Sequence, residues 1–265
     1  MLKDITLGQF FPGDTPIHRL DPRTKILLLI VYIVALFEAV GWFSYALVLL
    51  LTALVMAMGR IHPRNIFKGL KPMLFIIVLT ALLNVFYTAG TPVREGWPIT
   101  WEGLSRSAQM ILRITLLIAG TFLLTYTTSP IALTDGLEKL MNPLKRIKVP
   151  VHEMTLMMSM ALRFIPTLIE ETDKIMSAQR SRGADFETGS LVRRAKALLP
   201  ILVPLFVSAF RRADELAIAM ESRCYHGGEG RTRMKQMKLQ RGDYIAFAIG
   251  GAFLALVIAL RRFGL

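Results

Sequence analysis

The 265-residue chain has very little cysteine and comparatively little charge, and both shortages narrow its class. Cys224 is the only cysteine, so the chain can form no internal disulfide and no multi-cysteine metal site. Only 19 % of the residues are charged, whereas 53 % are hydrophobic and the mean hydropathy is +0.48. This composition excludes a soluble globular protein of ordinary residue usage.

Sequence motifs for nucleotide or metal chemistry are also missing. No G-x-x-x-x-G-K-[ST] phosphate loop occurs in the chain, which argues against an ATPase. The histidines are isolated from one another, and His152 with Glu153 makes no H-E-x-x-H motif because Leu156 occupies its last position. We therefore expect no catalytic residue, no metal site and no bound cofactor. The N-terminal segment 1–22 is polar and mixed in charge, unlike a cleavable signal peptide.

Long apolar runs predict an all-α integral membrane protein with about five transmembrane helices. Residues 26–58 are too long for one span, because these 33 residues would make a helix of roughly 50 Å against a hydrocarbon core of about 30 Å. We interpret them as a hairpin of two spans that turns near residues 38–42, with Asp21 and Pro22 starting the first helix. The remaining spans are predicted at residues 70–87, 106–128 and 244–260, the last of them capped by Asp243.

The distribution of charge predicts which connections face the cytoplasm. The net charge is +13, and residues 129–242 carry 19 Lys and Arg against 12 Asp and Glu. The segment 60–71 is also basic, whereas residues 89–105 hold one Arg and two Glu. Because basic segments stay inside, we expect the N-terminus, segment 60–71 and region 129–242 to be cytoplasmic. A nucleic-acid-binding protein would not devote its length to apolar runs.

The chain is thus divided into three parts: residues 1–128 with four spans, the cytoplasmic region 129–242, and residues 243–265 with the last span. The cytoplasmic region is predicted to hold a short helix at 134–141 and two long amphipathic helices, at 152–180 and 191–225. The apolar stretch 198–210 contains two prolines, so we interpret it as bent and half-buried, with a sixth span as the alternative.

Two further features have alternative interpretations. Arg113 lies well inside the fourth predicted span, where a charge is a functional candidate by default, yet a structural interhelical hydrogen bond is the interpretation we favour. The early part of helix 152–180 is rich in methionine. These flexible side chains fit either a surface that repacks against partners or ordinary core packing. The residues concerned are Met154, Met157, Met158 and Met160.

The two long helices end in matching sequences, AQRSRG at 178–183 and AMESRC at 219–224. Each has an alanine, then Ser-Arg and a small residue, and the arginines are 41 residues apart. Arginine near a helix C-terminus is favoured by the helix dipole, so one interpretation is ordinary C-capping. The other is a pair of docking tips whose arginine forks bind carbonyls and carboxylates of a duplicated partner. The candidate site residues are Ser181, Arg182, Gly183, Ser222, Arg223 and Cys224.

Three stretches of the chain resemble the transmembrane T component (EcfT) of energy-coupling factor transporters. They are GQFFPGDTPIHRLDPRTK at 8–25, QRSRGADFE at 179–187, and the segment 204–225 that ends in ESRCY. In that family two short Ala-Arg-Gly-like motifs close the coupling helices and dock onto ATP-binding cassette subunits. Here serine stands where alanine is usual, at 181 and 222, and Cys224 stands where glycine is usual. Both departures keep the residue small and keep the arginine.

The resemblance implies a non-catalytic scaffold subunit of an importer for vitamins or other trace nutrients in the plasma membrane of a prokaryote. Its expected partners are two ABC ATPase subunits of the EcfA type, as a heterodimer that binds the ATP, and one membrane-embedded substrate-binding S component. Met157 and Met160 are the expected contacts with the S component. The alternatives are a dedicated cobalt or nickel T component and, from another class, a stand-alone secondary transporter.

Overall fold

The computed structural model describes residues 10–92, 99–186, 190–227 and 237–262, and these residues are almost entirely helical. Apart from one antiparallel bridge between Pro92 and Thr100, they contain no β-structure, which confirms the predicted all-α class. The α-helices in the described ranges are α1 (Pro16–Arg19), α2 (Pro22–Glu38), α3 (Trp42–Gly59), α4 (Pro63–Leu70), α5 (Leu74–Tyr87), α6 (Trp101–Thr127), α7 (Pro130–Met141), α8 (Val151–Ser181), α9 (Leu191–Glu221) and α10 (Arg241–Arg262).

Within these ranges, four helical segments are long and apolar enough to cross a membrane: α3, the segment Pro63–Tyr87, α6 and α10. The second of these joins α4 to α5 through a 3-10 turn at Lys71–Met73, so the helix begins earlier than the predicted Leu70 because Pro63 occupies its first position. The first predicted span corresponds to α2. Its 17 residues reach about 25 Å, somewhat less than the hydrocarbon core of about 30 Å.

The predicted hairpin is confirmed, because α2 ends at Glu38 and α3 begins at Trp42. The start of α2 also follows the sequence signal: the Asp21 carboxylate accepts the backbone N–H of Arg23 at 2.9 Å, and Pro22 is the first helical residue. Asp243 differs from its predicted role as a cap. It lies inside the first turn of α10, and its carboxylate reaches back to the N–H of Gln240 at 2.7 Å, as in a capping box.

The described residues form two compact units, and 10–92, 99–139 and 237–262 belong to the first. Its central helix is α6, which packs against α2, α3, α4 and α5, while α10 packs against α2. Large apolar side chains point away from this bundle: Phe75 is 75 % exposed and Leu50 is 65 % exposed. Such a surface suits a lipid environment, since a soluble protein rarely exposes apolar patches of this extent.

The second unit comprises residues 140–186 and 190–227, with the 3-10 helix Asn142–Ile147 followed by α8 and α9. The predicted break near Val149 is confirmed, because α8 begins at Val151 after Pro150. The prediction that residues 198–210 are half-buried holds for one side of the helix, where Ile201 is buried and Leu205, Ser208 and Ala209 are half-buried. On the other side, Val203 and Phe206 are 61 % and 62 % exposed. A pair of helices can cover only one side of each member, so the other side of α9 stays open.

Candidate functional site

The first candidate tip, residues 181–183, ends α8 in a Schellman turn. Arg182 is the C-cap residue. The N–H of Gly183 donates to the carbonyl of Arg180 at 3.0 Å, and the N–H of Ala184 donates to the carbonyl of Gln179 at 3.0 Å. Gly183 has φ +85°, a left-handed conformation that glycine adopts without steric cost. Backbone N–H groups therefore satisfy the carbonyls of Gln179 and Arg180 in the last turn of the helix.

The second candidate tip, residues 222–224, ends α9 in the same turn and the same register. The N–H of Cys224 donates to the carbonyl of Glu221 at 2.8 Å, and the N–H of Tyr225 donates to the carbonyl of Met220 at 3.0 Å. Arg223 is again the residue before the left-handed position, which Cys224 holds at φ +56°. A non-glycine residue there costs about 1–2 kcal/mol. The turn is kept even though the sequence does not supply the residue best suited to it.

The side chains of the two tips match as well. Ser181 Oγ donates to the carbonyl of Ser177 at 3.1 Å, and Ser222 Oγ donates to the carbonyl of Ile218 at 2.6 Å. Each tip thus presents, in order, a serine bonded back to its own helix, an arginine, and a small residue with positive φ. The similarity noticed in the sequence is also a similarity of backbone and hydrogen bonding.

Both tip arginines are exposed, and neither Arg182 nor Arg223 makes a hydrogen bond or ion pair through its side chain within the described ranges. If the arginine side chain capped the helix, its guanidinium would bond to the last carbonyls of the helix. Here backbone N–H groups already occupy those carbonyls. The five donors of each guanidinium therefore remain available to a group outside the chain.

Helices α8 and α9 pack against each other and run antiparallel. Gln179 Nε2 donates to the carbonyl of Pro200 at 3.5 Å, and Arg212 Nη2 donates to Glu171 Oε2 at 3.0 Å. The later residue of α8 thus contacts the earlier residue of α9, as expected for antiparallel helices. A hydrogen bond from Ser208 and the charge of Arg212 hold the pKa of Glu171 below its ordinary value, against the opposing effect of burial. Glu171 therefore stays ionised at neutral pH, and the ion pair persists.

The antiparallel arrangement separates the two tips. The α8 tip follows Gln179, which touches α9 at Pro200, whereas the α9 tip lies 23 residues farther along α9, at Arg223. At a rise of ~1.5 Å per residue, this separation is on the order of 35 Å. Two tips so far apart cannot share one binding pocket.

The methionines predicted to contact the S component lie on the same unit. Met157 is 60 % exposed, and Met154, one turn before it on the same face, and the adjacent Met158 are also exposed. Met160 is half-buried at the edge of this face. The exposure of Met157 is not what core packing predicts, because a core residue would be covered.

The structure adds an apolar groove on α9 that the sequence interpretation missed. It is lined by Val203, Phe206, Val207, Phe210, Arg211 and Asp214. Phe210 is 68 % exposed. The signal was available, since positions 203, 206, 207 and 210 have the i, i+3, i+4, i+7 spacing of an apolar helix stripe.

The charged residues near the spans have structural roles. Arg113 Nη2 donates to the carbonyl of Ala39 at 3.0 Å, and its guanidinium lies 5.7 Å from the ring centre of Phe37. It thereby holds the α2–α3 turn against α6, in agreement with the interpretation we favoured. Glu38 forms an ion pair with Arg261, at the last turn of α10.

A buried polar cluster holds the other ends of α2 and α10. Asp243 is 1 % exposed and accepts the N–H groups of Asp21 at 2.9 Å and of Gln240 at 2.7 Å. Lys25 Nζ donates to the carbonyl of Thr127 at 2.8 Å and so ties the end of α6 to α2. Burial acts against the charge on Asp21, but hydrogen bonds from Arg23 hold its pKa below the ordinary value.

These features define a multi-pass α-helical membrane protein that carries a pair of matched, exposed helix tips. Comparison with known proteins identifies its family. The family described as "CbiQ: Cobalt transport protein" matches residues 13–234. The chain is 51 % identical over 263 residues to the energy-coupling factor transporter transmembrane protein EcfT of Ruminiclostridium cellulolyticum, covering 98 % of each chain.

Two further relatives carry the same name. Identity is 54 % to the protein of Clostridium kluyveri, over 93 % of each chain. It is 48 % to that of Bacillus subtilis, over 89 % of this chain and 91 % of the relative. The chain belongs to the EcfT family of transmembrane transporter components, which confirms the resemblance drawn from its motifs.

Proposed function

We propose that this protein is the scaffold subunit of an energy-coupling factor importer for vitamins or other trace nutrients. It would couple ATP hydrolysis by two ATPase subunits to movement of a membrane-embedded S component. ATP would be bound by the partner subunits, and this chain would hold no cofactor. The family membership supports the transporter role, and the paired tips are the observation that supports the coupling role.

The ATPase partners are implied by the resemblance to EcfT, and the geometry of the tips supports a pair of them. Ser181, Arg182 and Gly183 form one tip, and Ser222, Arg223 and Cys224 form the other, with equivalent hydrogen bonds in each. Because the two tips have equivalent structures, we expect each to bind a homologous pocket. Their separation, on the order of 35 Å, suits one pocket in each subunit of an ATPase pair. An arginine fork in such a pocket would bond carbonyls or carboxylates.

Coupling requires an element whose arrangement both partners can bias. The α8–α9 pair is the candidate, because it carries both tips and the exposed methionine face. When the ATPases close, they would shift the two tips relative to each other. The antiparallel contact, fixed by Glu171–Arg212 and Gln179–Pro200, would convert that shift into a tilt of the apolar surface. The S component on that surface would then change its orientation in the membrane.

The test of this proposal is co-purification. Affinity-tagged chain, extracted from its native membrane, should retain two ATPase subunits and an S component, and substrate uptake in liposomes should require all of them. A chain that transports alone in liposomes would instead be a secondary transporter. Uptake of Co²⁺ or Ni²⁺, with no uptake of vitamins, would favour the dedicated metal importer that the description of the matched family suggests.

The apolar surface yields a separate prediction. Met157→Asp with Met160→Asp should release the S component while both ATPases stay bound, because unpaired charges in an apolar interface cost several kcal/mol. The measurement is the composition of the purified complex. Met157→Leu with Met160→Leu is the matched control and should retain all subunits. If the S component stays bound to the aspartate variant, its contact lies elsewhere, with the α9 groove as the next candidate.

A further inference from the structure

Helix α4 presents two different faces, and only one of them packs against other residues that the structure describes. Ile66 and Leu70 are buried in a cluster with side chains of α5 and α6. The opposite face carries exposed residues at positions i, i+3 and i+4 of the helix, and position i+7, which continues this face, is the first residue of the following 3-10 turn. We call it the basic face; it consists of Arg64, Phe67, Lys68 and Lys71.

The packing of α4 on α6 fixes the direction of the basic face. Gly69 lies so close to Phe122 that a Cβ at this position would be 2.3 Å from the ring. Tyr126 donates its hydroxyl to the carbonyl of Asn65 at 3.3 Å. The close approach at Gly69 and the hydrogen bond to Asn65 hold this side of α4 against α6, and the cations face away from it. The basic face is therefore a fixed feature of the surface.

The basic face has no counter-charge within the described ranges. Arg64, Lys68 and Lys71 make no ion pair or side-chain hydrogen bond there, and residues 60–71 contain no aspartate or glutamate. Phe67 lies between the cations and is 69 % exposed. Cations around an exposed aromatic ring suit a partner that has both negatively charged groups and an apolar part.

The position of α4 relative to the spans indicates which partner this is. Helix α4 lies beside Phe122 and Tyr126, in the last turns of the α6 span, and continues directly into the apolar residues of α5. Both neighbours place it at the level where the hydrocarbon core ends and the headgroups begin. Clustered Lys and Arg at this level attract anionic lipids, and an aromatic ring inserts at the acyl boundary.

We propose that the basic face of α4 is a binding site for anionic phospholipid headgroups. Arg64, Lys68 and Lys71 bind the phosphate and other anionic groups, and Phe67 contacts the upper part of the acyl chains. The site holds α4, and through it the ends of α5 and α6, at a defined depth in the leaflet. This proposal rests on the membrane-spanning fold and is independent of the coupling role assigned to the two tips.

The test compares two lipids with identical acyl chains. Purified full-length chain in an uncharged detergent is titrated at low salt with dioleoyl phosphatidylglycerol or dioleoyl phosphatidylcholine, and bound lipid is counted by native mass spectrometry. The protein should prefer the anionic lipid. Arg64→Gln with Lys68→Gln and Lys71→Gln should lower that preference several-fold per cation, on the order of 100-fold in all. Phe67→Ser should weaken binding of both lipids and keep the preference.

The matched control removes three other exposed cations, by Lys145→Gln with Arg146→Gln and Lys148→Gln. It changes the net charge equally and should keep the preference. Equal loss in both triple variants, or none in the first, would overturn the proposal, provided that both elute as single species with unchanged helix content. The complex purified with its partners should show the same preference. Its disappearance there would assign the basic face to a protein subunit and would also overturn the proposal.

Discussion

Replacing Arg182 and Arg223 together with alanine is expected to abolish both ATPase binding and substrate uptake. Each arginine projects from a Schellman turn, and its side chain has no partner among the described residues, so we expect a partner subunit to supply its hydrogen bonds. Removing a buried, hydrogen-bonded charge from an interface costs about 2–5 kcal/mol, partly because the group opposite is left unpaired. Each single variant should weaken assembly, and the double variant should lose both pockets at once.

Conservative variants separate the fork geometry from the charge. Lysine at positions 182 and 223 should restore assembly only in part, because it keeps the positive charge and loses the bidentate geometry. Cys224→Gly should retain full assembly, since glycine suits φ +56° and leaves Arg223 in place. Arg194→Ala removes an exposed cation of the same helix outside both tips and should change little.

The measurement is ATPase co-purification together with uptake by reconstituted complex. Near-normal uptake in the double alanine variant would show that the arginines have no coupling role. Loss of assembly in Arg194→Ala as well would mean that net charge, and not the tips, holds the ATPases.

The second large effect is expected at Asp243. Asp243→Ala should destabilise the membrane unit by about 3 kcal/mol or more, because two buried backbone N–H groups, those of Asp21 and Gln240, would lose their acceptor. Asp243→Asn keeps an acceptor oxygen and should cost less. The readout is the thermal unfolding of purified chain in detergent, followed by helical circular dichroism.

The control for this prediction lies at the opposite ends of the same two helices. Glu38→Gln removes the ion pair with Arg261, whose side chains are 33 % and 53 % exposed, respectively. An exposed pair contributes about 0–1 kcal/mol, so the unfolding temperature should barely change. Equal destabilisation by both variants would contradict the special role of the buried cluster at Asp243.

Local patterns determined much of this protein. The apolar runs gave the approximate positions of the spans, because a bilayer demands about 20 apolar residues in a row whatever the rest of the chain does. Asp21 and Pro22 marked the start of α2, since a helix start depends on only a few consecutive residues. The two tips were recognisable for the same reason: a Schellman turn closes within six residues, and its sequence was repeated 41 residues later.

Only the tertiary structure decided what depends on distant partners. Asp243 was expected to cap its own helix, yet its carboxylate also binds Asp21, 222 positions away in the sequence. The sequence allowed either a transport role or a packing role for Arg113, and its hydrogen bond to the carbonyl of Ala39 favours packing. The stripe on α9 is apolar by sequence, but whether it is covered depends on how many helices surround it. Periodicity gives a helix its faces, and the neighbours present in three dimensions determine which of those faces are buried.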